Sequence, residues 1–111
     1  MQIIKVSDTV RFPVRCTYKD EAGTDKTLNF SLVCQRLTQT EISAKLRDSV
    51  DEPILDVLAE IVHEWEGLRD VERKPVPYSE DALRAVCDQL PGLAGVMWRT
   101  YLTEVGAKEK N

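Results

Sequence analysis

The sequence predicts an α+β fold: an N-terminal antiparallel β-hairpin packed against three to four C-terminal α-helices. Three observations carry this. Val10, Phe12, Val14, Cys16 and Tyr18 alternate with Arg11, Pro13, Arg15, Thr17 and Lys19. The alternation resumes at Leu28, Phe30, Leu32 and Cys34, after a turn that contains Gly23. Period-two patterning on both sides of a Gly-containing turn is the signature of a hairpin with one buried face. From Thr38 onward apolar residues recur at the three- and four-residue spacing of amphipathic helices. A chain of 111 residues fits one domain, 1–111, with the hairpin over about 8–36, a helical part over about 38–106 and a frayed tail at 107–111.

Residues 3–6, Ile-Ile-Lys-Val, read as a short strand ahead of the hairpin. In the hairpin the apolar positions are even-numbered on both strands, so a shared buried face requires even residues to oppose even residues. The register expected sets Tyr18 opposite Leu28, Cys16 opposite Phe30 and Val14 opposite Leu32, and keeps Cys16 and Cys34 apart. Pro13 cannot donate to a ladder, which makes its strand an edge or a bulged one. Two strands alone are marginal in water, so helices must cover the apolar face.

Thr38-Gln39-Thr40-Glu41 has the spacing of a capping box, and Ile42, Leu46 and Val50 give a short helix behind it. Asp51-Glu52-Pro53 opens the next, with Pro in its first turn. Ile54, Leu58, Ile61, Trp65 and Leu68, widened by Leu55, Val57 and Val62, make Ile54–Leu68 the strongest helical pattern in the chain. Gly67 is a plausible stop, and Pro75 and Pro77 hold the chain extended. Ser79 is a good N-cap, with Glu80 and Asp81 in the first turn. The connection from Trp65 to Tyr78 is thus expected to fold back and pin two helices together. A third helix over 80–90 turns Leu83, Val86, Cys87 and Leu90 inward and breaks at Leu90-Pro91-Gly92. The last carries Leu93, Val96, Met97, Tyr101, Leu102 and Val105. Gly95 inside it costs about 1 kcal/mol against Ala, which points to close helix packing there, and Gly106 can cap its end.

The stretch Trp65-x-Gly67-Leu68-x-Asp70, a short charged loop, then Pro75-Val76-Pro77-Tyr78-Ser79-x-x-x-Leu83 and a short helix ending in Leu90-Pro91-Gly92 resembles the tail assembly chaperones of long-tailed, siphovirus-like bacteriophages and prophages. The motif covers about a fifth of the chain, and the length and element order fit as well. Members often carry a Gly in the middle of the charged loop. Here it reads Val71-Glu72-Arg73-Lys74, which leaves the shape of that turn open. The resemblance implies a protein that binds and solubilises the tape-measure protein, helps recruit tail-tube protein during tail morphogenesis, works in the host bacterial cytoplasm and is absent from the mature virion. A ribosomal frameshift near the end of such genes often makes a longer form, which a frayed Ala107–Asn111 tail would suit.

Composition sets limits beside this. The net charge is −4: residues 1–50 hold eight Lys/Arg against six Asp/Glu, residues 51–111 seven against thirteen. That balance speaks against a nucleic-acid partner, whose binding surface is normally a basic stripe. No apolar run approaches the ~20 residues needed to span a bilayer, so no membrane association is expected. The N-terminus lacks the long apolar region of a signal peptide. Cys16, Cys34 and Cys87 form no Cys-x-x-Cys pair and sit in apolar patterns, which reads as reduced, buried thiols rather than a metal site. His63 has no nucleophile or orienting group selected beside it, and the expectation is a helix-surface or half-buried histidine, with no cofactor and no enzymatic activity.

The candidate site is therefore a partner-binding surface. Asp56, Glu60 and Glu64, at i, i+4 and i+8 of one helix, form an acidic stripe with no Lys or Arg between Arg47 and Arg69 to offset it. Trp65, Trp98 and Tyr101 read by default as core residues, and the sharper expectation is an apolar groove between Ile54–Leu68 and the last helix, with Trp65, Leu68, Trp98 or Tyr101 at its margin and the acidic stripe on its rim. The same stripe, the Arg11/Arg15/Lys19 strand face and a spare tryptophan suggest a homo-oligomer. The alternative reading is a small prophage-encoded regulatory or inhibitor protein that binds a host protein.

Overall fold

A computed structural model of the chain describes residues 3–48 and 53–110. The order is β1 (Thr9–Lys19), β2 (Asp25–Gln35), α1 (Gln39–Asp48), α2 (Ile54–Ile61), β3 (Val62–Glu66), α3 (Glu80–Gln89) and α4 (Leu93–Val105). The three strands form one antiparallel sheet in the order β1-β2-β3, and with four helices the fold is α+β.

The hairpin register is shifted by two residues from the one expected. Val14 opposes Phe30, Cys16 opposes Leu28 and Tyr18 opposes Lys26. Even still faces even, so the buried face is the one read from sequence, and Cys16 and Cys34 remain apart. The turn sets the shift. Asp20 N–H donates to Thr24 O (3.0 Å), Gly23 N–H donates to Asp20 O (3.0 Å), and the Asp20 carboxylate accepts from Ala22 N and Thr24 N (2.9 Å each). This closes the loop at Lys19↔Asp25 and leaves Gly23 at φ 78°. β1 is an edge strand, as Pro13 requires. Residues 3–6 form no strand: Ile3, Ile4 and Val6 are exposed ahead of β1.

The main correction concerns Ile54–Leu68. The helix stops at Ile61, the chain turns extended at Val62 (φ −75°, ψ 126°), and Val62–Glu66 pairs with β2 as a third strand. Ser31 opposes Glu66, Leu32 opposes Trp65 and Val33 opposes Glu64, but Cys34 opposes Val62. His63 is therefore the extra residue of a β-bulge. The bulge puts Val62 and Trp65 on the same face of a strand at a spacing of three, the spacing of a helix. Ile61, Val62 and Trp65 are also good strand formers. Gly67, at φ 91°, ends a strand and not a helix. Pro53 sits at the N-cap of α2, one position outside its first turn.

Other caps fall where the sequence puts them. Thr38 N–H donates to Glu41 Oε1 (2.9 Å) and Glu41 N–H donates to Thr38 Oγ1 (3.1 Å), a complete capping box. Ala82 N–H donates to Ser79 Oγ at the start of α3 (3.0 Å). Val50, Asp51-Glu52 and Asn111, for which expectations were stated, lie outside the described residues.

One core joins sheet and helices. Phe12, Val14, Phe30, Leu32 and Cys34 from the hairpin meet Val57, Leu58 and Ile61 of α2, Val62 and Trp65 of β3, Leu83 of α3, and Leu93, Met97, Trp98, Tyr101 and Val105 of α4. α4 lies against β1 and α2 packs against both α3 and α4. Gly95 does not mark a close helix crossing: a Cβ there would meet the side chain of Arg99 in its own helix, 3.1 Å away.

Candidate partner-binding surface

The residues expected at a groove margin are inside. Trp65, Leu68, Trp98 and Tyr101 are only 7%, 6%, 8% and 0% exposed. The three aromatics among them fall into two separate groups. Tyr101 stacks on Phe12 (6.1 Å between centroids, 10° between planes) and is tilted against Trp98 (5.6 Å). Trp65 meets Phe30 edge-on (6.4 Å) and Tyr78 edge-on (5.1 Å). The Tyr101 hydroxyl donates to Gln35 O (2.8 Å) and accepts from Leu37 N–H (3.0 Å), tying α4 to the segment between β2 and α1. No groove opens between an Ile54–Leu68 helix and α4, because the helix ends at Ile61 and Val62–Glu66 is a strand.

The acidic stripe is dispersed for the same reason. Asp56 and Glu60 stay on α2, but Glu64 lies on β3. Each meets a cation from elsewhere in the chain. Arg84 of α3 donates through Nη1 to Asp56 (2.8 Å) and through Nε to Glu80 (3.1 Å). Lys45 of α1 pairs with Glu60. Arg11 Nη1 bonds Glu66 (2.6 Å), and Arg11 Nη2 lies 3.8 Å from Glu64. Carboxylates expected to face a partner thus brace neighbouring elements, and the grounds for self-association lose two of their three parts: an unanswered stripe and a spare indole.

The segment that carries the family resemblance forms a single interlocked unit. Trp65 Nε1–H donates to Val76 O (2.7 Å), Val76 N–H donates to Leu68 O (2.9 Å), and the Tyr78 hydroxyl donates to Val62 O (3.3 Å). The connection does fold back, but it pins onto β3 rather than between two helices. Its tip repeats the hairpin turn bond for bond. Asp70 N–H donates to Lys74 O (2.9 Å), Arg73 N–H donates to Asp70 O (2.9 Å), and the Asp70 carboxylate accepts from Glu72 N (2.8 Å) and Lys74 N (3.0 Å). Arg73, at φ 65°, holds the left-handed position that Gly23 fills in the first turn.

No family model, curated protein or solved structure matches this chain.

Among the described residues no group of three or more His, Cys, Asp or Glu is placed to hold a metal ion. His63 is exposed on its bulge. The three cysteines are free, and burial raises each thiol pKa, Cys34 to about 12. Among the described residues no helix is long and apolar enough to cross a membrane.

Apolar surface sits where sequence reasoning did not put it. Leu46 on α1 and Ile54 on α2, both assigned inward by periodicity, are 55% and 42% exposed. Their helices are short, and burial of α2 is satisfied by Val57, Leu58 and Ile61. Val71, at the tip of the second turn, is fully exposed, and Tyr18, near the hairpin tip, is 41% exposed. The signal for Val71 lay in its position, since residue two of a five-residue turn closed by Asp70 and Lys74 has no core to face.

Proposed function

We propose that the chain is a tail assembly chaperone of a long-tailed phage or prophage. It binds the tape-measure protein, keeps it soluble and helps recruit tail-tube subunits in the host cytoplasm, and it leaves before the virion is complete. One observation supports this reading most. Trp65, Leu68, Asp70, Val76 and Tyr78, residues of the resemblance, lie in one stretch of hydrogen bonds that folds back on β3, and Ser79 caps the helix that follows.

A tape-measure protein is long and largely helical, and its apolar stripes need cover until the tube encloses them. Exposed apolar residues suited to meet such a stripe are Leu46 on α1 and Ile54 on α2, two helices linked by the Lys45–Glu60 ion pair. Recognition of this kind places apolar anchors of one helix against apolar residues of another.

Co-expression with the tape-measure protein of the same gene cluster tests the proposal. The expected result is a soluble complex that copurifies. A tape-measure protein equally soluble with and without this chain, and no complex on pull-down, would sink the assignment. Leu46→Asp with Ile54→Asp should weaken capture about 30-fold or more, about 2 kcal/mol in total, with the circular dichroism spectrum unchanged.

A further inference from the structure

The distal half of the hairpin stands beyond the core. Burial ends at Val14 on β1 and Phe30 on β2, although each strand runs on for five residues toward the turn. β3 covers β2 only from Ser31 to Cys34. Three properties meet on the β1 side of this arm.

The first is an unpaired edge. Asp20 N–H bonds Thr24 O at one end of the β1–β2 ladder, and Arg36 N–H bonds Asp8 O at the other. Hydrogen-bonded and non-hydrogen-bonded pairs alternate in an antiparallel ladder, so the even-numbered residues of β1 bond to β2. The odd-numbered ones direct their N–H and C=O groups outward. Pro13 has no N–H and interrupts this edge, but Arg15, Thr17 and Lys19 leave three consecutive outward donors and acceptors beyond it. The second property is an apolar inner face, where Cys16 and Leu28 are half-buried and Tyr18 is 41% exposed. The third is a basic outer face. Lys19 is answered only by Asp25 (2.7 Å), and Arg15 has no ion-pair partner among the described residues.

We propose that the Arg15–Lys19 edge of β1 accepts an extended protein segment as a fourth strand, one that alternates acidic and apolar residues. Its carboxylates face Arg15 and Lys19, and its apolar side chains continue the face of Cys16 and Tyr18. Main-chain bonds supply affinity in this mode, and alternate side chains supply specificity. A second copy of the same strand is disfavoured, since antiparallel pairing about Thr17 sets Arg15 opposite Lys19, and like charges directly opposed are destabilising. The inference is independent of the chaperone reading.

The probe is the capped peptide Glu-Val-Glu-Val-Glu, with Lys-Val-Lys-Val-Lys as its control, titrated into the isotopically labelled chain. At saturation, amide exchange at Arg15, Thr17 and Lys19 should slow at least tenfold with the acidic peptide and not with the basic one. Thr17→Pro removes an outward N–H that the native ladder does not use, so it should keep the fold and weaken the acidic peptide at least tenfold. Arg15→Glu with Lys19→Glu should reverse the preference. The proposal is overturned if neither peptide protects these amides at millimolar concentration, if both protect them equally, or if binding survives Thr17→Pro. Protection of the same amides without peptide would overturn it in favour of self-pairing.

Discussion

Tyr101 shows how one hydroxyl can fix a connection. Its O–H sits in the core between Gln35 O and Leu37 N–H, where the chain leaves the sheet for α1. Tyr101→Phe keeps the ring stacked on Phe12 but strands two backbone groups, each worth about 1–3 kcal/mol when left unpaired. A loss of about 2 kcal/mol is expected in urea denaturation. Arg73 makes the opposite case. An L-residue in the left-handed region costs roughly 1–2 kcal/mol, part of which Gly would return as extra freedom of the unfolded chain. Arg73→Gly should therefore stabilise the protein by about 0.5–1 kcal/mol. Gly23→Ala should cost about 1 kcal/mol, and since a Cβ there meets nothing within 4 Å, the loss isolates the backbone effect. Equal melting temperatures for wild type and both variants would contradict this account.

At the scale of elements, β3 is the lesson. Alternation exposed the hairpin because β1 and β2 run without a bulge between them, and Ser79 and Thr38 marked helix starts because capping is local chemistry. The bulge at His63 hid β3, since it converts a strand's spacing of two into the spacing of three seen between Val62 and Trp65. Nothing local to residues 62–66 reports that β2 offers an open edge there. The candidate site is affected with it, because a groove and an acidic stripe along Ile54–Leu68 both need a helix that in fact ends at Ile61. Deleting His63 should leave Val62 and Trp65 facing inward in a regular strand, so the variant should fold with a melting temperature within a few degrees of wild type. Inserting a residue between Glu64 and Trp65 turns Trp65 toward solvent and should abolish the cooperative thermal transition. Circular dichroism melts distinguish the two.

For the whole molecule, alkaline pH probes the integrity of the core. Cys34 is fully buried, and burial pushes its thiol from the ordinary value of 9.0 up to about 12. Tyr101 and Tyr78 are raised as well, mainly by burial. A group whose folded pKa is raised adds stability that is complete below its unfolded pKa and lost as pH climbs through the folded one. Stability should thus hold to about pH 9 and then fall toward pH 12, by up to about 1.4 kcal/mol per pH unit for Cys34 alone. Guanidinium titrations at stepped pH measure this, and a flat profile from pH 8 to 11 would contradict it. The same burial keeps Cys34 from thiol reagents until the molecule opens, so its labelling rate should track global unfolding.

The sheet is assembled from parts far apart in the chain. β1 and β2 meet across a five-residue turn, but β3 reaches β2 only after α1 and α2 have intervened. Closing that longer loop carries an entropy cost before any contact repays it. The hairpin can therefore form early, while β3 docks late, together with the helices on either side of it. Trp65 sits in the middle of β3, against Phe30 of the hairpin. Its fluorescence in a Trp98→Phe background would time the closing of the sheet, and during that interval both edges of the hairpin would be open to other strands.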